Sequence, residues 1–389
     1  MLRSLYSGIS GLRSHQTMLD VTGNNIANVN TTAFKAGAVQ FQDTLSQLVQ
    51  GAGGPQAQTG GTNPAQIGLG VLVAGISTNF TQGAAQATGR PTDMMINGDG
   101  FFAVNVGGEI QYTRAGSFDP DADGRLVGPG GAILQGWNAV NGVVQQGGAL
   151  GDVTIPLKAV TPASATTASS VTGNLPSTAA VGDQLVRDIK VYDANGAERD
   201  LSLTFTRSAT GWDVSGTDGT ATATGALAFT NGALTSGGTL TVGGVAVDLS
   251  KVTGFADLTT VAFKDQNGSK AGTLESFTLS KDGTIIGLFS NGDKQAVGRI
   301  ALATFVNPGG LEKAGGSTYR ATVNSGAAQL GAPGSDGLGT LQGGSLEMSN
   351  VDLSQEFTNL IVAQRGFQAN ARIITTSDEV LQELTNLKR

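Results

Sequence analysis

Every proline in this chain lies between Pro55 and Pro333, and every Asn-Gly and Asp-Gly dipeptide lies between residues 97 and 337. The 389 residues are thereby partitioned: the ends are free to carry long helices, and the middle is committed to tight turns. The Asn-Gly pairs start at Asn97, Asn141, Asn195, Asn231, Asn267 and Asn291, and the Asp-Gly pairs at Asp99, Asp123, Asp218, Asp282 and Asp336. Such pairs supply the positive φ angles of two-residue hairpin turns. They alternate here with short runs of period two, such as Leu201-Ser-Leu-Thr-Phe and Arg299-Ile-Ala-Leu-Ala-Thr-Phe-Val. The middle reads as antiparallel β.

The ends follow a heptad period. Leu2, Leu5, Ile9, Leu12, Leu19 and Ile26 fall at alternating steps of three and four, with Gln16 and Gly23 in the two skipped positions. Leu353, Phe357, Leu360, Phe367, Ala371, Ile374 and Leu381 repeat the pattern, interrupted by Gln364 and Asp378. From Ser345 onward the only glycine is Gly366, and Ser349 or Asp352, the latter with Gln355 in capping-box spacing, can cap the second helix. A chain that leaves through one helix and returns through the other pairs them antiparallel, as a self-assembly seam. The polar interruptions predict that these helices order only on assembly.

The expected fold is mainly β with long terminal α-helices: an antiparallel, coiled-coil-like terminal domain plus two β domains, one inserted in the other. Residues 1–30 and 351–389 form the helical domain. Residues 31–70 form a linker, Gly-, Gln- and Thr-rich from 51 onward. Residues 71–150 and 271–350 form a discontinuous inner β domain, and 151–270 an inserted outer one, with a Thr- and Ser-rich shift at Thr161–Thr172.

Composition narrows the function classes. A net charge of −7 without a basic run argues against nucleic acid. Cysteine is absent and His15 is the single histidine, which excludes disulfides and the usual zinc sets. No run of about 18 apolar residues predicts membrane insertion, and the N-terminus lacks the order of a cleaved secretory signal. Asp119-Pro-Asp-Ala-Asp-Gly begins like a calcium loop, but its twelfth position is Gly130, so it reads as an acidic hairpin tip. His15 sits inside the first helix, far in sequence from any β cleft, and reads as a helix-surface or interface residue rather than a base. Gly68-Leu-Gly-Val-Leu-Val and Asn267-Gly-Ser-Lys each lack a glycine of the phosphate-loop patterns, and Asp378-Glu379 reads as solvated helix face. No catalytic, cofactor or metal residue is expected, and the chain does not read as an enzyme.

The segment Gly23-Asn-Asn-Ile-Ala-Asn-Val-Asn-Thr-Thr-Ala-Phe-Lys resembles the N-terminal signature of flagellar rod and hook proteins, carried here by Asn24, Asn25, Ile26, Ala27, Asn28, Phe34 and Lys35. Ala33 stands where that family usually has Gly, a departure that concerns the local turn. Asn97-Gly-Asp-Gly-Phe-Phe, Tyr112-Thr-Arg-Ala-Gly-Ser-Phe, Ala303-Thr-Phe-Val-Asn-Pro-Gly-Gly, Gly344-Ser-Leu-Glu-Met-Ser-Asn and Ile361-Val-Ala-Gln-Arg-Gly-Phe-Gln-Ala-Asn extend the likeness, the later ones toward hook members. It covers about residues 1–150 and 270–389.

The resemblance implies a structural subunit that polymerises with copies of itself into a curved, flexible tube carrying motor torque to the filament. It implies an extracellular place in the flagellar hook, reached through the type III export apparatus without a cleaved signal peptide. The implied neighbours are the distal rod protein, the hook cap and the hook-filament junction protein. Phe41-Gln-Asp-Thr-Leu45 matches the family's export-gate motif, through Phe41 and Leu45, with simple packing as the alternative. A distal rod subunit and a secreted β-rich binding module with helical oligomerisation ends are the alternative functions.

Overall fold

The computed structural model describes residues 2–55, 60–140, 142–156 and 160–386. Asn141, the side chain of Leu2 and residues 1 and 387–389 of the expected helical domain lie outside the described residues. The chain forms two compact units, one of Met1–Ile155, Thr278–Ile285 and Ala296–Arg389, the other of Pro156–Phe277 and Ile286–Gln295.

In the first unit, helix α1 (Leu2–Ala27) and helix α2 (Leu353–Asn386) are about 39 and about 51 Å long at the usual rise per residue. Asp352 is the cap of α2: its Oδ1 accepts from the backbone N–H of Ser354 (2.8 Å) and Gln355 (3.3 Å). The Gln355 amide turns instead to Asn359, so the reciprocal half of a capping box is not made. The helices run antiparallel, with Gly8 beside Ile374, His15 beside Gly366 and Asn25 bonded to Glu356.

Where a linker was expected over 31–70, strands form. They are β1 (Gly37–Asp43), β2 (Ser46–Gln50) and β3 (Ala65–Gly68), followed by β4 (Val71–Thr78). β1 pairs antiparallel with β4, from Gly37 opposite Thr78 to Asp43 opposite Val71, with a bulge between Gln40 and Phe41. β2 pairs antiparallel with β3. The turn into β4 presses on α1: a Cβ on Gly70 (φ 125°) would collide with Ser10, whose Oγ accepts from the Val71 N–H at 3.2 Å. Apolar residues such as Val39, Phe41 and Ile67 stand at alternate positions in β1 and β3, and strand pairing gives the backbone groups partners that a solvated linker would leave to water.

The β body of this unit is built on the hairpin Phe101–Val106 with Glu109–Thr113. Strand Ile133–Val140 pairs beside the first, and Thr318–Arg320 beside the second. Phe101, Ala103, Tyr112, Ala303, Phe305 and Tyr319 form its aromatic core, with Phe80 packed against it. Their rings meet edge to face, Tyr112 and Phe305 at 4.8 Å and Phe80 and Tyr319 at 5.2 Å.

The second unit holds a five-stranded antiparallel meander, from Gln184–Tyr192 to Ala233–Ser236, and a four-stranded sheet. Asn231 and Gly232, at φ 53° and 80°, make the final turn of the meander, as the Asn-Gly dipeptide predicts. In the four-stranded sheet Ala168–Asn174 runs parallel to Val245–Thr253, a departure from the all-antiparallel expectation. A long connection separates these strands, and only that makes a parallel neighbour reachable. The core is Trp212 and Phe205 among aliphatic side chains such as Val171, Leu203 and Leu249.

Candidate functional site

The helix pair touches through small and polar residues. Gly8, Gly11, Ser14, Thr22 and Asn25 are the buried row of α1, with His15 and Met18 half-buried between them. On α2 the buried residues are Glu356, Ala363 and Ser377, flanked by half-buried Gly366, Asn370 and Ile374. A Cβ added to Gly11 would lie 2.6 Å from Asn370 Oδ1, and one added to Gly366 would lie 2.5 Å from His15 Nε2. Glycine inside a helix costs about 1 kcal/mol relative to alanine, and here that cost lets the two backbones approach closely.

The expected leucine seam therefore lies beside the contact. On α1 it is displaced by one residue, about 100° round the helix. Leu5, Leu12, Leu19, Ile26, Leu360, Ala371, Ile374 and Leu381 are half-buried, and Ile9, Leu353, Phe357 and Phe367 are exposed, together with Tyr6 and Ile361. The subunit thus leaves an apolar row of its helix pair uncovered, and such rows on soluble proteins mark interaction surfaces.

The signature residues build the root of the pair. Asn25 Nδ2 donates to the Gly37 carbonyl (2.8 Å) and to Glu356 Oε1 (3.2 Å), and its Oδ1 accepts from the Gly37 N–H at 3.0 Å. One side chain thus ties α1 to β1 and to the first turn of α2, where the helix dipole favours the Glu356 carboxylate. Asn28 Nδ2 donates to Asn24 Oδ1 (3.1 Å), its Oδ1 accepts from Thr31 Oγ1 (3.0 Å), and Ala27 is exposed. Ala33 is fully buried at φ 56°, the left-handed region in which glycine is unstrained, which accounts for the family's usual residue there. Phe34 lies under Lys313, whose Nζ is 5.3 Å from the ring centroid.

Lys35 is the centre of this root. Its Nζ is 2.6 Å from Glu347 Oε1, and both side chains are completely buried. Nζ also donates to the Thr81 carbonyl at 2.7 Å. Glu347 accepts in addition from the Gly83 N–H (2.8 Å) and from Arg114 Nη1 (3.4 Å), while Arg114 Nη2 donates to the Gly98 carbonyl at 2.8 Å. Burial pulls the Lys35 ammonium below its ordinary proton affinity, against the opposing pull of the Glu347 carboxylate. Asn350 completes the ring: its Oδ1 accepts from the Ala36 N–H (2.9 Å) and its Nδ2 donates to the Asn79 carbonyl at 2.8 Å. The segments before and after the β body are thereby joined at one buried ionic knot.

Glu347, Arg114, Asn350 and Glu356 received no role from the sequence, although three of them stand in or beside quoted family segments. Their signal was a charged or amide residue within a run that otherwise packs. Phe41 and Leu45 are exposed, at 42% and 83%, and the Phe41 ring lies 6.0 Å from that of His15. The acidic tip is a hairpin turn whose Asp121 carboxylate accepts from the backbone of Asp123 and Arg125 and from Arg125 Nε, while Arg90 pairs with Asp119.

Models of three families match segments of the chain: "Flagella basal body rod protein" over residues 5–35, "Flagellar hook protein FlgE/F/G D1 domain" over 95–172, and "Flagellar basal body rod FlgEFG protein C-terminal" over 342–387. The flagellar hook protein FlgE of Borreliella burgdorferi is 40% identical across 100% of both chains. That of Salmonella typhimurium is 37% identical across 99% of this chain and 100% of its own. The flagellar basal-body rod protein FlgG of Bacillus subtilis is 35% identical across 100% of both. The crystal structure of Helicobacter pylori flagellar hook protein FlgE2 shares the fold, with a TM-score of 0.50 at 14% identity over 68% of this chain and 100% of that one. Aligned from end to end with relatives of this identity, the chain belongs to the FlgE/F/G family of flagellar hook and rod proteins.

Proposed function

We propose that the chain is a non-enzymatic structural subunit of the bacterial flagellar hook, polymerising with copies of itself into a curved tube that passes motor torque to the filament. The observation that carries this reading is the uncovered apolar row Ile9, Leu353, Phe357, Ile361 and Phe367 on a helix pair rooted in a buried ionic knot. A rigid root with an apolar outer face suits a subunit whose helices are covered by neighbouring copies. The leucines beside the seam, with Ile26 at its end, share that surface, and Asn24, Asn25, Asn28, Phe34 and Lys35 set its orientation. The helical domain, the inner β domain of residues 71–150 and 271–350, and the outer domain of 151–270 take successive layers of the tube.

In this reading the subunit travels through the type III export apparatus, with Phe41 and Leu45 accessible to it, and takes its place outside the cell. The distal rod protein, the hook cap and the hook-filament junction protein meet its polymer. A rod subunit is the second reading, favoured by the name of the Bacillus relative. Negative-stain microscopy of the concentrated full chain tests both: curved tubes are expected, straight tubes favour the rod, and discrete particles overturn polymerisation.

A further inference from the structure

Two contacts of the helix pair are reciprocal. α1 offers Gly11 and, one turn on, His15, while α2 offers Gly366 and, one turn on, Asn370. The His15 ring edge occupies the place of a Gly366 side chain, where a Cβ would stand 2.5 Å from Nε2 and 2.6 Å from Cε1. The Asn370 amide occupies the place of a Gly11 side chain, 2.6 Å from Oδ1 and 2.7 Å from Nδ2. Asn370 Nδ2 donates to the Gly366 carbonyl at 2.9 Å, which folds that side chain back along its own helix. His15 is the chain's one histidine, and Gly366 is its one glycine after Gly344.

We propose that this crossed pair, each helix seating a bulky polar side chain in the other's glycine notch, is a register lock that decides which turn of α1 faces which turn of α2. The flanking leucines cannot make that choice, because residues repeating at heptad spacing meet similar partners when one helix slides along the other. The notches can. A one-turn slip in one direction sets His15 against Asn370, two bulky side chains with no glycine between them. A slip in the other direction sets Gly11 against Gly366 and leaves an unfilled gap where the backbones part. Both glycines stand in helix interiors, where glycine is the least favourable residue after proline, so their value lies in the space they leave.

The lock is made by two helices of one chain and is argued without the hook assignment, so disulfide trapping in the full-length protein tests it separately from that reading. The chain has no cysteine, so introduced pairs report without background. Gly8→Cys with Ile374→Cys reports the observed register, since a Cβ on Gly8 lies 3.4 Å from Ile374 Cγ1. Gly8→Cys with Ser377→Cys reports the slip that brings His15 onto Asn370. In an otherwise unaltered chain the first pair is expected to cross-link and the second to stay reduced. His15→Ala should raise the slipped cross-link about tenfold, and Gly366→Ala should lower the native one by a similar factor. Adding His15→Ala to Gly366→Ala should restore it. Equal cross-linking of both reporters in the unaltered chain, or a Gly366→Ala defect that His15→Ala does not rescue, would overturn the lock.

Discussion

Replacing Lys35 with methionine removes one of two cations from a knot whose formal charge is positive, Lys35 and Arg114 against Glu347. Methionine keeps an unbranched apolar side chain as far as the ε carbon and lacks only the terminal ammonium, so the change is mainly electrostatic. The Thr81 carbonyl loses its 2.7 Å donor, and Glu347 keeps Arg114 at 3.4 Å and the Gly83 N–H at 2.8 Å. Breaking a buried pair costs about 3 to 5 kcal/mol, and the retained partners place Lys35→Met near about 3. Glu347→Leu leaves two buried cations with no anion and belongs near about 5 kcal/mol. With a urea dependence of about 3 kcal/mol per molar, the midpoints fall by about 1 M and about 1.7 M.

The two tryptophans make the assay selective, because Trp137 lies in the first unit and Trp212 in the second. In a Trp212→Phe background, fluorescence follows the unit that contains the knot. A midpoint shift below about 0.3 M for Lys35→Met, or a smaller loss for Glu347→Leu than for Lys35→Met, would refute the reasoning, since the ranking follows from which charge is left unpaired.

Three further outcomes are expected. Burial pushes the Tyr319 phenol up to about 12 from 10.0, so the folded state holds its proton more tightly and stability present below pH 10 is lost between about pH 10 and 12. This loss is roughly 2 to 3 kcal/mol, and Tyr319→Phe should lack it in urea titrations followed from pH 9 to 12; an identical alkaline loss in the variant would exclude this tyrosine. Leu12→Asp or Leu360→Asp puts a carboxylate into the half-buried flank of the helix pair and should abolish tubes in microscopy while Trp212 fluorescence stays native; normal tubes from either variant would count against the assembly surface. Deleting residues 165–270 should leave tubes that polymerise but stay straight, because the polar Thr- and Ser-rich outer domain suits contacts that slide through exchange with water; loss of all tubes, or unchanged curvature, would contradict that division of roles.

The helices were legible because absence of proline and a heptad stripe are both local signals, and turns such as that of Asn231 and Gly232 were legible because Asn-Gly favours positive φ, although Asn267 and Gly268 do not adopt it. The contact row was not. Gly8, Gly11, Ser14 and Thr22 carry no hydrophobic signal, so the eye settles on the leucines one residue away. The ionic knot was hidden for another reason: Lys35 and Glu347 are separated by 312 residues, and no periodicity links them. Ala33 lies between these cases, since its departure from the usual glycine pointed to the turn and its φ of 56° shows what the turn requires.

Ser164 and Ser269 exchange backbone hydrogen bonds at 2.9 Å in both directions, so more than a hundred residues of the second unit leave and return at adjacent points. A segment with neighbouring ends behaves as a cassette. Its contents can lengthen, shorten or be replaced in one genetic step, and the chain on either side still meets the same two anchor points. Diversification within such a segment is thereby uncoupled from the two terminal helices.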